Sequence, residues 1–323
     1  MNDRADGKGT VYRSLSEVPP NFGPVVAAIG NFDGVHRGHR EILTSVVADA
    51  RTRGIRSLAI TFDPHPEQFL RPDSAPGLLT LMPERLRLLR ATGVDAVLVL
   101  PFEASLANMR AREFVQSVLL GLLKMRAVHE GGNFRFGRRA EAGIPELQEF
   151  GAEFGFDVHL HRSVRVHGLE ISSSATRKLV AAGEMQRTRW MLGRPFAFPC
   201  AQARGRGVGT RLLVPTVNLA PYAGLLPAFG VYATHLTIGE RCFQAVTNAG
   251  NRPTFEGVGF GVETHILNFD PIEITDETPL RLEFLLRLRP EIAWPSPEAL
   301  KAQILKDVAR AKRYFHLVDL LCV

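Results

Sequence analysis

The sequence predicts two units of different class: an α/β unit with a doubly wound parallel sheet, then an antiparallel β-barrel that ends in a helix. The first half alternates short apolar runs with stretches of helical period, the rhythm of a parallel sheet. After about residue 187, Gly, Pro and β-branched residues rise, and short alternating runs replace that rhythm, as in a barrel or sandwich. A chain of 323 residues is also long for a single core. The two domains read as 16–186 and 187–323.

The first fifteen residues are polar and contain glycine, so they are expected to fray; they lack the apolar core of a signal peptide. Val25 to Ile29 is apolar throughout and reads as a buried strand. Glu41 to Val47 repeats apolar residues at helical spacing. Leu58 to Phe62 and Ala96 to Leu100 are further strands, with a helix at Glu84 to Ala91 between them. Ala111 to Leu123 is a longer amphipathic helix, and Ala127 to His129 and Val158 to Leu160 complete the sheet. Barrel strands are read at Pro215 to Leu219, Gly230 to Thr237, Cys242 to Asn248, Val262 to Leu267 and Leu282 to Arg289. A last helix, from about Glu298 to Tyr314, has Ser296 as its cap ahead of Pro297. Leu300, Ile304, Val308 and Ala311 mark its apolar face.

Composition narrows the function classes. Hydrophobic residues make up 45% and charged residues 22%, the balance of an ordinary globular protein, and no apolar run is long enough to span a bilayer. Cys200, Cys242 and Cys322 are scattered, with no Cys-x-x-Cys, which fits a reducing cytoplasm better than a disulfide framework. A net charge of +6 suits anionic small molecules, and equally a merely basic surface. No basic stripe interleaved with aromatics argues for nucleic acid. The sequence carries no signal for an oligomeric state.

The densest chemical signal is Gly30-Asn31-Phe32-Asp33-Gly34-Val35-His36-Arg37-Gly38-His39, placed between the first strand and the first helix. Backbone amides at such a turn are unpaired, and a helix start carries partial positive charge, so an anion is stabilised there. His36 and His39, three apart, share one face of the first helical turn. The segment is neither the dinucleotide fingerprint nor the P-loop. Two other readings stand beside the triphosphate one: a plain tight turn, and a zinc site of His36, His39 and His65. The zinc reading lacks a nearby Cys and a usual ligand spacing. Asp63-Pro64-His65-Pro66 and Gly131-Gly132-Asn133-Phe134-Arg135-Phe136-Gly137 also follow strands directly, where ligands of open α/β sheets sit.

Taken in order, these motifs resemble the bacterial bifunctional riboflavin kinase/FMN adenylyltransferase (FAD synthetase) family, over about Val25 to Phe315. The first matches the Gly-x-Phe-Asp-Gly-x-His-x-Gly-His motif of nucleotidyltransferases. Ile171-Ser172-Ser173-Ser174-Ala175-Thr176-Arg177 is similar to the family's Ser-Ser-Thr-x-x-Arg, with Ser174 in place of Thr. The resemblance implies a Rossmann-like nucleotidyltransferase domain followed by a riboflavin kinase barrel, with Mg²⁺ as cofactor and ATP, riboflavin and FMN as substrates. It implies that His36 and His39 hold ATP phosphates and the transition state, among Gly30, Phe32, Asp33, Gly34 and Gly38. Ser172, Ser173, Ser174 and Arg177 close on the pyrophosphate side, Asn133 positions the incoming phosphate or flavin, and Asp63 and His65 shape the flavin pocket.

In the second half, Pro215-Thr216-Val217-Asn218 resembles the Pro-Thr-Ala-Asn motif of riboflavin kinases. Thr216 and Asn218 are two apart, so on a strand both face one side and can hold Mg²⁺. Asn248 to Phe255, which contains Arg252, resembles the family's flap, and Val262-Glu263-Thr264-His265-Ile266-Leu267 its general-base strand, with Glu263 as the base. One stretch departs: in residues 205–214, Arg206 stands for Asp, Val208 and Thr210 for Arg, and Leu213 for Gly. This predicts a working but weak kinase, unless Arg204, Arg206 or Arg211 compensates. The rival readings are an adenylyltransferase whose kinase is weakened or lost, a non-catalytic flavin- or nucleotide-binding regulator, and a nucleotidyltransferase for another phosphate ester.

Overall fold

The computed structural model describes residues 9–203, 210–212, 216–254, 257–275 and 277–321. They fall into two units, Met1–Ser173 and Ser174–Val323. The sheet of the first unit is made of β1 (Thr10–Tyr12), β2 (Val25–Ile29), β3 (Arg56–Asp63), β4 (Ala96–Pro101), β5 (Met125–Gly131) and β6 (Asp157–His161). Its spatial order is β1-β4-β3-β2-β5-β6, and every neighbouring pair is parallel. A two-stranded hairpin, β7 (Arg165–Val166) and β8 (Leu169–Glu170), follows it.

β2 is apolar at every position because both faces of the sheet are covered. Val25, Ala27 and Ile29 enter one core with Leu58, Ile60 and Leu98, while Val26 and Ala28 enter the other with Ala59 and Val97. Helix α1 (Arg37–Arg53) and, after the short α2 (Pro66–Leu70), helix α3 (Met82–Arg90) cover the second core through Leu43, Val46, Leu86 and Leu89. The first core is covered from the other side, beyond the short α4 (Ala104–Ala107). There α5 (Ala111–Glu113) runs on as a wider π-type helix over Phe114–Leu122, and α6 (Ile144–Phe154) packs beside it. The expected helix at 111–123 is therefore present, in wider form after Glu113.

One expectation is corrected at the N-terminus. Thr10–Tyr12 do not fray: they pair with Ala96–Leu98 as an edge strand, and Tyr12 meets the Phe22 ring edge-on at 5.2 Å. The chain runs from β2 through β3 to β4 on one side and places β5 and β6 on the other. The crevice of this switch lies beyond the carboxyl ends of β2 and β5, where the two glycine-rich motifs begin.

The second unit opens with α7 (Ser173–Ala181) and α8 (Met185–Leu192). Residues 174–186 group with it, since Ala228 N donates to the Val180 carbonyl at 3.4 Å and Arg287 Nη1 to the Ala182 carbonyl at 3.3 Å. The strands are β9 (Phe196–Cys200), β10 (Thr210–Leu212), β11 (Thr216–Leu219), β12 (Gly230–Ile238), β13 (Arg241–Thr254), β14 (Gly257–Ile266), β15 (Ile272–Ile274) and β16 (Leu280–Pro290). Six form an antiparallel sheet, β11-β14-β13-β12-β16-β9, and β10 pairs with β15. Gln202, just past β9, bridges to Leu219 of β11, so the two edges meet and close most of a barrel. Phe196, Phe198, Tyr232 and Phe284 fill the interior with rings.

Helix α9 (Pro297–Leu321) is capped as expected, with Ser296 Oγ accepting from Ala299 N at 3.2 Å. Of the predicted apolar face, Val308 and Ala311 are packed, while Leu300 and Ile304, nearer the start of the helix, are 40% and 47% exposed. Val308, Ala311, Tyr314 and Phe315 pack on Val231, Ala233, Val246 and Leu288. Asp307 pins the helix to the sheet, accepting from Arg289 Nε of β16 at 2.9 Å and from Gln303 Nε2 at 2.8 Å. No helix among the described residues is long and apolar enough to cross a membrane.

Removing one member of a buried ion pair leaves the other uncompensated. Asp307→Ala is expected to destabilise the barrel by about 3 kcal/mol, at the low end for such a loss because Arg289 keeps the Trp294 face. A urea-unfolding midpoint followed by circular dichroism checks this; a midpoint equal to that of the unmodified chain removes Asp307 from the account of the helix.

Candidate functional site

The turn after β2 is bent sharply. Gly30 N donates to the Ile60 carbonyl at 2.9 Å, and the backbone then takes positive φ at Phe32 (47°), Gly34 (84°) and Val35 (36°). Gly34 adopts this at no steric cost, but Phe32 and Val35 are strained by it. Asp33 holds them. Its Oδ2 accepts from Leu79 N at 3.0 Å and its Oδ1 from Thr80 N at 2.9 Å, and Arg85 Nη2 lies 3.9 Å away. Thr80 Oγ1 accepts in turn from Gly34 N at 3.0 Å. The Asp33 side chain is fully buried, so this residue, expected among the ligand contacts, turns inward and shapes the turn.

His36 is the N-cap of α1, and its Nδ1 accepts from His39 N at 3.2 Å. That bond places the proton of the neutral ring on Nε2. The His36 and His39 rings stack with centroids 3.6 Å apart and planes at 15°, and Phe32 meets His39 edge-on at 5.2 Å. The two imidazoles therefore share one face of the first helical turn, as their spacing predicts. Gly30 and Gly38 are half-buried beside the Phe32 and His36 rings.

His65 does not join the pair: its ring is buried and caps α2, with Nδ1 accepting from Glu67 N at 3.2 Å. Among the described residues, His36, His39 and His65 form no group able to share an ion, so the zinc reading of that trio has no geometry behind it. Asp63 is exposed at the end of β3, and Asn133 is exposed just past β5 beside the stacked Phe134 and Phe136 rings. Ser172 is half-buried, and Ser173 Oγ donates to the Asp33 carbonyl at 2.9 Å, which brings the start of the serine motif to the turn. Ser174, exposed, and Arg177, half-buried, lie on α7.

Sequence reasoning missed Glu130, the residue before Gly131-Gly132. Its carboxyl is buried and accepts from Ile29 N at 2.7 Å, tying the ends of β5 and β2 together beneath the crevice. Burial pushes its pKa well above the ordinary carboxyl value, against the smaller opposing effect of the Ile29 amide. A carboxylate ending an apolar strand, directly before a glycine pair, was the available signal.

On the barrel, Thr216 and Asn218 alternate along β11 with buried Val217 and Leu219. Asn218 lies opposite Glu263 of β14, and Glu263 opposite Asn248 of β13. Directly paired residues point to one face, so the three side chains form a row across three strands. Asn248 was not singled out by sequence. Thr216 Oγ1 lies 3.3 Å from His265 Nδ1, and Glu263 is exposed. Asn218 Oδ1 is buried with no hydrogen-bond partner among the described residues. An orphaned carbonyl oxygen beside a hydroxyl and a carboxylate fits a hard, oxygen-seeking cation such as Mg²⁺. The backbone of Arg252 lies in β13 opposite Gly259. Residues 204–209 and 213–215 lie outside the described residues, and with them most of the altered stretch 205–214.

A turn carrying two stacked imidazoles at the switch point of one unit, and a row of side-chain oxygens on the barrel of the other, fit a transferase with two sites. Comparison with known proteins gives the family. A family model described as FAD synthetase matches residues 19–175, and one described as riboflavin kinase matches 192–315. The bifunctional riboflavin kinase/FMN adenylyltransferase of Escherichia coli strain K12 is 34% identical over 307 residues, covering 94% of this chain and 96% of that protein. The Pseudomonas fluorescens protein of the same name is 35% identical over 303 residues, again with 94% and 96% covered. A solved Streptococcus pneumoniae structure described as a macrolide-efflux protein superposes with a TM-score of 0.81 over 94% of this chain and 99% of that one. At 22% identity it shares the fold alone. The chain belongs to the bifunctional riboflavin kinase/FMN adenylyltransferase family and carries both of its catalytic domains.

Glu130 binds its proton more tightly in the folded chain than in the unfolded one, where it titrates near 4.5. Its contribution to stability is whole below that value and is lost as pH rises through the raised folded pKa. Glu130→Gln keeps the acceptor for Ile29 N and removes the titration. Its stability relative to the unmodified chain is expected to rise as pH increases above about 4.5. Urea midpoints of both proteins across that range test this; a constant difference would contradict it.

Proposed function

We propose that this chain makes FMN from riboflavin and ATP on its barrel, and FAD from FMN and ATP at the turn after β2. The observation that carries this reading is the stacked His36–His39 pair, held by the helix cap at the switch-point crevice. Adenylyl transfer is assigned to 16–186 and the kinase to 187–323, bounds within which both family matches fall. Riboflavin, FMN and ATP are the partners we assign to it, in the cytoplasm, where its scattered cysteines stay reduced.

In adenylyl transfer, an FMN phosphate oxygen bonds to the α-phosphorus of ATP, and the bond to the bridging oxygen breaks as pyrophosphate leaves. The protein's part is alignment and neutralisation of charge on phosphate oxygens. The amides of the turn and the Nε2–H of His36 donate to those oxygens, with His39 stacked beside it. Arg177 and the Ser172–Ser174 hydroxyls take the pyrophosphate side. Asn133, exposed past β5, orients the FMN phosphate, and Asp63 and the His65 loop border the flavin. In the kinase, Glu263 accepts the proton of the ribityl 5′-hydroxyl as its oxygen bonds to the γ-phosphorus, and the bond from that phosphorus to the β–γ bridging oxygen breaks as ADP leaves. Thr216 and Asn218 would hold Mg²⁺, which neutralises ATP phosphate charge when bound. Arg252 adds positive charge from the flap. The replacements at Val208, Thr210 and Leu213 favour a second reading in which this kinase is the slower of the two activities.

His36→Asn combined with His39→Ala keeps a capping oxygen at the start of α1 and removes both imidazoles. FAD formation from FMN is expected to fall by roughly two orders of magnitude or more, while riboflavin phosphorylation persists. Normal FAD formation would remove the pair from the mechanism. Glu263→Gln is expected to show the converse: no FMN from riboflavin, and FAD formation from supplied FMN at the unmodified rate. Product chromatography reads both, and a kinase that survives the change refutes the general-base role.

A further inference from the structure

A second group of histidines lies elsewhere on the first unit. Asp49 is near the end of α1, His129 is on β5, and His159 and His161 are on β6. His129 and His159 are register partners, and His161 follows at the next position on the same face. Asp49 lies ten residues beyond His39, or about 15 Å along the helix, so this cluster is separate from the turn.

Three donor atoms converge there. Asp49 Oδ2 is 3.1 Å from His129 Nε2 and 3.6 Å from His159 Nε2, and all three atoms lie within 4.8 Å of one another. Ligands of a tetrahedral zinc ion, each about 2.0–2.1 Å from it, stand about 3.3 Å apart. Among the described residues this is the one group of three or more His, Cys, Asp or Glu with such convergence. His129 Nδ1 is 3.0 Å from His161 Nε2, the outer hydrogen bond that orients a ligating imidazole. The other Asp49 oxygen accepts from Arg53 Nε at 2.7 Å, which holds the carboxylate still.

An ion pair alone explains less. Asp49 Oδ2 then takes the His129 imidazole, and His159 Nε2 is left buried with no hydrogen-bond partner among the described residues. A dication at the centre satisfies all three atoms. The His159 side chain is 43% exposed, which gives an ion a way in and leaves room for a water as fourth ligand. Two imidazoles and one carboxylate suit a zinc-class transition dication and not Mg²⁺.

We propose that Asp49, His129 and His159 form a zinc-class metal site that clamps α1 to strands β5 and β6, with His161 orienting His129. The test uses full-length protein, stripped with a chelator, dialysed and titrated with Co²⁺ alone. One equivalent is expected to bring up visible ligand-field absorption, which Zn²⁺ then abolishes. His161→Phe is expected to weaken Co²⁺ binding about 10–100-fold. His159→Gln and Asp49→Asn, which remove ligands, are expected to weaken it by more than that and to lose the absorption. Unchanged far-UV circular dichroism and FAD formation in these variants show that a ligand, and not the fold, was lost. The His36→Asn, His39→Ala protein is expected to keep the absorption. Failure of the unmodified chain to develop it overturns the proposal, as does wild-type affinity in both ligand variants or loss of the signal in the His36, His39 variant.

Discussion

The first unit depends on one buried carboxylate. Asp33 accepts from two backbone amides across 46 and 47 positions of sequence. Hydrogen bonds to a charged acceptor contribute about 1.5–3 kcal/mol each. Left-handed backbone at non-glycine residues costs about 1–3 kcal/mol each, and the turn contains two such residues, Phe32 and Val35. The two sums are of like size, so the turn keeps its shape only while the carboxylate stays in place. The cap at His36, the first turn of α1 and the stacking of His39 all follow from that shape. The side chain in the motif that looks most suited to a ligand is thus the one that builds the site without facing it.

The parallel sheet was legible because burial on both faces leaves an unambiguous trace. A strand such as Val25–Ile29 must be apolar throughout, and helices must alternate with it. The motifs were legible for a related reason, since a doubly wound sheet delivers ligand-binding loops to strand ends. The direction of the Asp33 side chain was not legible. It is decided by Leu79, Thr80 and Arg85, and no local spacing reports a partner so far along the chain. The edge strand Thr10–Tyr12 was hidden because three residues of mixed polarity, paired on one side only, carry no periodicity. On α9, apolar spacing marked Leu300, Ile304, Val308 and Ala311 alike, and it could not separate the packed Val308 and Ala311 from the exposed Leu300 and Ile304, because a hydrophobic pattern does not report how far along the helix the sheet reaches. The His129, His159 and Asp49 cluster escaped notice because it joins two strands and a helix from three distant stretches.

The barrel site is positioned differently, by strand register. Glu263 faces outward beside Asn218 and Asn248 because the alternate residues face in. Those inward residues include Thr264, Thr247 and Thr234, all fully buried, whose hydroxyls are linked in a ladder at 3.0 and 2.7 Å. Valines would fill the same space as well, but hydroxyl pairs add a requirement that valines lack. Each must meet its partner, or a buried polar group is left unsatisfied at about 1–3 kcal/mol. A slip of one residue in β13 against β14 would break the ladder and also turn Glu263 into the interior. The threonines thus fix the register that places the proposed general base opposite the orphaned Asn218 oxygen. In the first unit a buried charge holds a strained turn. In the second, buried hydroxyls hold a flat row. In both, polar groups hidden from any substrate decide where the exposed ones stand.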